Sequence, residues 1–334
     1  MDKTRIGVIG LGGIAQLVHL PILSKMNMVE ISAVAEINKN RLRNVADKFG
    51  IKARFSNYAE MLEKSELDGV IIATPTNTHP QIAINCLNAG QNILVEKPVA
   101  PSLKEAKEVN EAAKSAKKVA MVGMNARFRP DAMLLKSLIN SGELGNIFYI
   151  RSGWARKQSS KELWFLKKKE SGGGAILDLG IVLLDLGMWL LDYPELKSVS
   201  VQKYHHKTKD VEDSAVGFIR FKNSSVINFE VSWSFHSDTD SFALTAFGTE
   251  GTAQLNPLRA YKKIESGNID YTPGSTGNKK DLYKKSYENE LKHFIGSIRG
   301  NNPVISSCQD AVHRMNLIES IYKSAELNQE IACK

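Results

Sequence analysis

The segment IGVIGLGGIA, residues 6–15, restricts the possible folds of this chain more than any other. A β-branched run ends in Gly10, Gly12 and Ala15, a G-x-G-x-x-A spacing, and passes directly into a helix-period stretch over Ile14–Met26. The first glycine permits a tight turn, the second lets backbone approach a pyrophosphate, and the small third residue lets the helix lie close to the strand. The helix start offers N–H groups and partial positive charge to phosphates. The next strand, in ISAVAE, ends in Glu36, placed where a carboxylate can hold a ribose 2′-hydroxyl. Strand, turn, helix and acid in register point to dinucleotide binding by Gly10, Leu11, Gly12, Gly13, Ile14, Ala15 and Glu36. A carboxylate at 36 repels a 2′-phosphate and favours NAD, while nearby Lys39 and Arg41 keep NADP possible.

The first third of the chain repeats this strand–helix grammar. Arg5–Ile9, Ile31–Ala35, Val70–Ala73, Asn92–Val95 and Val119–Val122 read as strands buried on both faces, with a further short strand at Ala53–Phe55. Helix-period segments lie between them at Lys39–Phe49, Pro80–Ala89 and Leu103–Ala116, so a doubly wound parallel sheet is expected. After Gly123 the pattern changes. Asp131–Asn140 reads as a helix, Ile147–Ala155 as a strand, and 172–187 as a glycine-led helix. Alternating runs follow at Ser198–His205, Ser214–Phe221, Val226–Ser234, Phe242–Phe247 and Thr252–Leu255. Consecutive strands without helices between them predict an antiparallel sheet in an α+β domain. Residues 265–280 read as loop, and helices return at Tyr287–Arg299 and Gln309–Ala325. The domain boundary is set at 1–123 and 124–334.

Composition limits the partners. A net charge of +8 suits anionic ligands, but the lysines are scattered and not interleaved with aromatics, which argues against nucleic acid. The apolar run 175–191 is short for a spanning helix and carries two aspartates, which argues against a membrane. Cys86, Cys308 and Cys333 form neither a CxxC pair nor a ligand spacing, so a reducing, cytoplasmic setting without disulfides or metal is expected.

Two further stretches end strands at the edge where doubly wound sheets bind ligands. In ATPTNTHP, Thr74, Asn77 and His79 are either ligand-facing or an ordinary loop and helix cap. In VEKPVA, Glu96 and Lys97 are either a surface ion pair or a functional pair, a partly desolvated lysine being suited to proton transfer. The run GGGAILDLGIVLLDLG, 172–187, sets Asp178 and Asp185 among glycine and aliphatic residues, either as buried acids with backbone partners or as functional groups.

Together these motifs, with GMNARFRP at 123–130, VEDSAVGFIRF at 211–221 and FGTEGTAQLN at 247–256, resemble the glucose–fructose oxidoreductase / inositol dehydrogenase / rhizopine-catabolism family. The resemblance spans essentially the whole chain. It implies an α/β Rossmann dinucleotide-binding domain plus an α+β C-terminal domain with a large open, mainly antiparallel sheet. It also implies NAD(P)-dependent alcohol–ketone interconversion on a sugar, sugar derivative or cyclitol, and a homodimer or homotetramer formed through that sheet. By position, Thr74, Asn77 and Glu96 join the dinucleotide site, and Lys97 faces the reacting oxygen. Asp178 lies in the substrate pocket, with Asn125, Arg127, Trp164, position 182 and Asp185 as neighbours.

At position 182 the chain departs from the family, whose pattern D-x-G-x-H-x-x-D supplies an acid–base histidine; here it is Val182. On a regular helix, Asp178, Val182 and Asp185 share one face. Three readings follow. Lys97, or a water held by Asp178, moves the proton; or another group such as His79 or His236 substitutes; or the chain has become an inactive dinucleotide- or sugar-binding regulatory protein. Retention of Lys97, both aspartates and the glycine turn favours a catalytic protein over the inactive one, with Lys97 the preferred proton carrier.

Overall fold

The apolar runs of the first third pair as parallel strands in the computed structural model, which describes residues 2–157, 163–234, 239–274 and 279–333. These strands are β1 (Thr4–Ile9), β2 (Val29–Ala35), β3 (Ala53–Phe55), β4 (Gly69–Ile72), β5 (Asn92–Glu96) and β6 (Ala120–Gly123). Their order is β3-β2-β1-β4-β5-β6, and every neighbour runs parallel. The order reverses direction at β1, so the strand ends on either side of it, at Ala35 and Ile72, flank the glycine turn. That is the crevice where open α/β sheets take ligands.

The connecting helices start and stop where their sequences dictate. The Asn38 side chain accepts the Arg41 N–H at the head of Lys39–Phe49, and Gly50 closes that helix at φ +67°. Ser102 caps Leu103–Ala116, with Glu105 reaching back to its hydroxyl. The helix after the glycine turn is less regular than its periodicity predicts. Ala15–His19 is π-wound, with the Leu20 N–H reaching the Ala15 carbonyl, before a short α-helical stretch over Leu20–Leu23. Pro21 has no N–H to continue the ordinary ladder, and the extra residue in the turn carries His19 fully into the interior.

The second sheet is built from β7 (Ile147–Ala155), β8 (Leu196–Tyr204), β9 (Ser214–Phe221), β10 (Val226–Ser232), β11 (Ser241–Gly248), β12 (Gly251–Leu255), β13 (Arg259–Ile264), β14 (Gly267–Asp270) and β15 (Ile331–Ala332). Its order is β14-β13-β12-β11-β7-β10-β9-β8-β15, antiparallel except for the central β7–β10 pair. The expected open, mainly antiparallel sheet is therefore present. The β13–β14 hairpin replaces part of the expected loop at 265–280; its strands are mostly exposed and lack the apolar alternation that marks the others. One helical stretch, Lys168–Leu190, has the length and hydropathy of a membrane span, and its apolar window is 94% buried within the protein. Leu183, Leu184, Leu186 and Leu190 are core residues there.

The chain divides into two compact units, Met1–Met124 with Tyr287–Val312, and Asn125–Ser286 with His313–Lys334. A single boundary at 123/124 therefore misplaces 287–312. These residues complete the first unit: a Cβ at Gly69 on β4 would meet Ile298 and Phe294, and Arg299 donates to the Thr4 hydroxyl at 2.8 Å. Ser306 and Val122 also share a backbone hydrogen bond. Periodicity identifies this segment as helical but carries no information about which core it joins. Phe294 is fully buried, so Phe294→Ala is expected to lower the unfolding free energy by about 3–5 kcal/mol. Denaturant unfolding checks this, and a loss below about 1 kcal/mol would place the helix outside the core.

Candidate functional site

In the first unit the site starts at Gly10. Its φ is +86°, and a Cβ there would stand 2.6 Å from the Ala73 carbonyl oxygen and 2.8 Å from the Thr74 methyl. Only glycine lets the turn lie against the end of β4. Gly12 and Gly13, by contrast, face open space within 4 Å, the room that a closely approaching pyrophosphate requires. Ala15 is fully buried under the turn, as its small side chain predicts.

Glu36 follows β2 and turns its carboxylate onto the same loop. One oxygen accepts the Leu11 N–H at 2.9 Å and the other the Asn38 N–H at 2.9 Å. Arg41 lies 3.4 Å from the first oxygen. The acid thus braces the glycine turn and stands at its mouth. Thr74 accepts a hydrogen bond from the Thr78 hydroxyl at 2.7 Å, and Asn77 is exposed on the short turn between them. This end of the sheet therefore brings together the glycine turn, Glu36 and Thr74.

Glu96 and Lys97 close β5 at the same edge. His19, on the helix that follows the glycine turn, bonds to a Glu96 oxygen at 2.7 Å. Burial raises the Glu96 pKa, but the His19 hydrogen bond and the electrostatic influence of His19, Lys97 and His79 outweigh it, leaving the carboxyl below its ordinary value. Lys97 is half-buried, its backbone N–H 3.3 Å from the other Glu96 oxygen. The EKP motif makes Glu96 and Lys97 visible in the sequence, but His19 is not recognisable there as the partner of Glu96, because the two lie 77 residues apart.

His79 does not substitute for the missing acid–base histidine. It is 1% exposed, and its ring nitrogens lie 2.8 Å from the Pro98 carbonyl and 2.7 Å from the Thr74 carbonyl. Burial pushes its pKa below the ordinary imidazole value, against the pull of those carbonyls and of Glu96. The other sequence candidate, His236, lies outside the described residues.

In the second unit the triple glycine has a steric cause. A Cβ at Gly173 would meet the Tyr322 hydroxyl, and one at Gly174 would meet the Glu212 carbonyl. Glu212, from the VEDSAV stretch, accepts the N–H groups of Gly174 and Ile176 at 2.9 Å each, and the Tyr322 hydroxyl at 2.9 Å. Burial, and then the Glu212 charge, push the Tyr322 pKa well up. Neither Glu212 nor Tyr322 is assigned a role by the sequence, although VEDSAV marks the position of the first.

The two aspartates of this helix have different partners. Asp178, 4% exposed, accepts the Trp233 indole N–H at 3.1 Å. Phe165 packs on Trp233 with ring centroids 5.5 Å apart, and Trp164 meets Phe165 edge-on at 5.4 Å. Trp164 is thus joined to Asp178 through two aromatic rings. Val182 is 6% exposed. Asp185 is fully buried in an ion cluster: Arg127 donates to both its oxygens, at 2.8 and 2.6 Å, and Arg314 donates at 2.7 Å. The Arg127 guanidinium also lies over the Trp189 and Tyr193 rings.

Arg127 and Asp185, expected as neighbours of a substrate, are both buried in the second unit and paired with each other. Ile176–Gly180 is π-wound, so the stretch between Asp178 and Val182 is not the regular α-helix on which their shared face is predicted, and Asp178, Val182 and Asp185 are all buried. Asn125 is half-buried and donates to the Ser286 hydroxyl at 2.9 Å. Among the described residues no group of three His, Cys, Asp or Glu side chains has the arrangement of a metal site.

Comparison with known proteins agrees with this geometry. Residues 4–124 match the oxidoreductase family with an NAD-binding Rossmann fold, and residues 133–254 match the GFO/IDH/MocA C-terminal domain. The chain is 34% identical to the rhizopine catabolism protein MocA of Rhizobium meliloti, with 98% of each chain covered. It is 25% identical to the D-glucoside 3-dehydrogenase of Escherichia coli (strain K12), covering 98% of this chain and 97% of that one. Among solved structures, levoglucosan dehydrogenase in complex with NADH superposes with a TM-score of 0.90 over 100% of both chains at 23% identity, which supports the fold alone.

The ion cluster gives a direct test. Asp185→Leu removes the buried carboxylate that Arg127 and Arg314 share, and is expected to cost about 3–5 kcal/mol of stability. Unchanged thermal stability with lost activity would instead return Asp185 to the substrate site.

Proposed function

The chain belongs to the GFO/IDH/MocA oxidoreductase family, and we propose that it is an NAD-dependent dehydrogenase interconverting an alcohol and a ketone on a sugar, sugar derivative or cyclitol. The observation that carries this reading is the convergence of three elements at one sheet edge. They are a glycine turn with open space before Gly12 and Gly13, the Glu36 carboxylate braced on it, and Lys97 at the end of β5. The residues fit a dinucleotide. Gly10 to Ala15 would cradle the pyrophosphate and Glu36 would meet the ribose, with Thr74, Asn77 and Glu96 completing the contacts. When bound, the nicotinamide supplies hydride acceptance and donation.

The protein supplies proton transfer and orientation. The Lys97 ammonium gives a proton to the substrate oxygen as a ketone is reduced, and the neutral amine takes it back as the alcohol is oxidised. Asp178, held by Trp233, orients a substrate hydroxyl. The Trp164, Phe165 and Trp233 rings provide an apolar surface suited to the C–H face of a sugar. Val182 favours a deoxygenated or otherwise less polar substrate group beside it. The relatives include dehydrogenases named for a D-glucoside and for myo-inositol, which supports the substrate class. The open face of the second sheet, where Tyr149 stacks on Phe247 beside Arg151, is proposed as the surface of a homodimer or homotetramer.

Val182 also supports a second reading, an inactive dinucleotide- or sugar-binding regulatory protein. Incubation with NAD(H) and a panel of sugars and cyclitols, followed by nicotinamide absorbance, separates the two. Turnover on a member of the panel supports the dehydrogenase, whereas tight cofactor binding without turnover supports the regulatory protein. Lys97→Met is expected to slow turnover at least about a hundredfold, and a near-normal rate would reassign the proton to another group. Val182→His is expected to accelerate turnover if proton transfer limits the native rate, and pre-steady-state absorbance reads that step.

A further inference from the structure

Lys97 is tethered through the residues on both sides of it. Glu96 is bonded to His19, and Pro98 offers its carbonyl to His79. The other ring nitrogen of His79 faces the Thr74 carbonyl, and Thr74 packs on Gly10. His79 therefore stands between the loop that abuts the glycine turn and the segment that carries the lysine. Both of its partners are carbonyl oxygens, which only accept, so each contact requires an N–H on that side of the ring. A neutral imidazole serves one carbonyl at a time, and only a protonated ring serves both together.

A surface histidine would have water for its nitrogens, but this ring is 1% exposed and its nitrogens meet protein carbonyls. Removing the ring leaves the two carbonyls without this shared neighbour and the two segments without their link. The side chain itself reaches no solvent, which excludes direct proton exchange with a substrate.

We propose that His79 is a positioning residue that couples the dinucleotide-side loop at Thr74 to Lys97, so that occupancy of the glycine turn fixes the lysine segment. This role matters for turnover only if Lys97 carries the proton, as proposed above, and the test keeps the two apart.

Hydrogen exchange on the full-length protein, with and without NADH, reads the coupling without any turnover. In the native chain NADH is expected to slow exchange at 74–78 and also at the Lys97 and Val99 amides. In His79→Phe the slowing at 74–78 is expected to remain while that at Lys97 and Val99 is lost. His79→Gln, whose amide again supplies N–H donors, is expected to restore it. In kinetics, His79→Phe should lower kcat about ten- to a hundredfold while the KM for the dinucleotide stays within about threefold. Retention of full protection at Lys97 and Val99 in the Phe variant would overturn the proposal. So would equal losses in the Phe and Gln variants that track their melting temperatures, since those mark a purely structural residue. Failure of every sugar to turn over would sink the dehydrogenase reading and leave the exchange result to decide the coupling.

Discussion

Gly10 has no room for a side chain, and the first unit is arranged around that constraint. With the turn resting on the Ala73 carbonyl, the ends of β1 and β4 are held together, and Thr74 is fixed beside the glycine loop. Parallel pairing of β1 with β2 on its other side delivers Glu36 to the same place, where its carboxylate takes the Leu11 N–H. Glu96 and Lys97 arrive by the same logic at the end of β5. A parallel sheet puts all its carboxyl ends on one edge, so residues far apart in sequence become neighbours without any dedicated contact to gather them.

The second unit solves a different problem, the burial of carboxylates in an apolar helix and against its start. An isolated charge there is costly, and each acid has its own compensation. Glu212 is satisfied by two backbone N–H groups and a tyrosine hydroxyl. Asp178 takes an indole N–H, and Asp185 takes two guanidinium groups. The triple glycine belongs to the same solution, since a side chain at Gly173 or Gly174 would displace the groups that satisfy the helix start. Both π-wound stretches lie at the candidate functional residues: one holds the buried His19, which meets Glu96, and the other holds Asp178.

Much of this was legible in the sequence where the signal is local. Strand composition identified the parallel sheet, the glycine spacing located the turn, and the distance to Glu36 identified its acid. Alternation identified most of the antiparallel strands. What was not legible depends on long-range pairing. Asp185 meets Arg127 across 58 residues and Arg314 across 129, and no periodicity records such a choice of partner. The same holds for Trp233 with Asp178, and for the return of 287–312 to the first core. His79 shows the complementary limit: a histidine in a loop of Thr, Pro and Asn gives no sign that carbonyls occupy both its nitrogens.

The account rests on the first sheet edge being a site for a dinucleotide with an unphosphorylated ribose. Titration of the full-length protein with NADH and with NADPH, followed by nucleotide fluorescence, tests this without any assumption about the substrate. Saturable binding of NADH, at least about tenfold tighter than NADPH, is the expected result, equivalent to about 1.4 kcal/mol of discrimination. Absence of binding by either nucleotide, or tighter binding of NADPH, would contradict it.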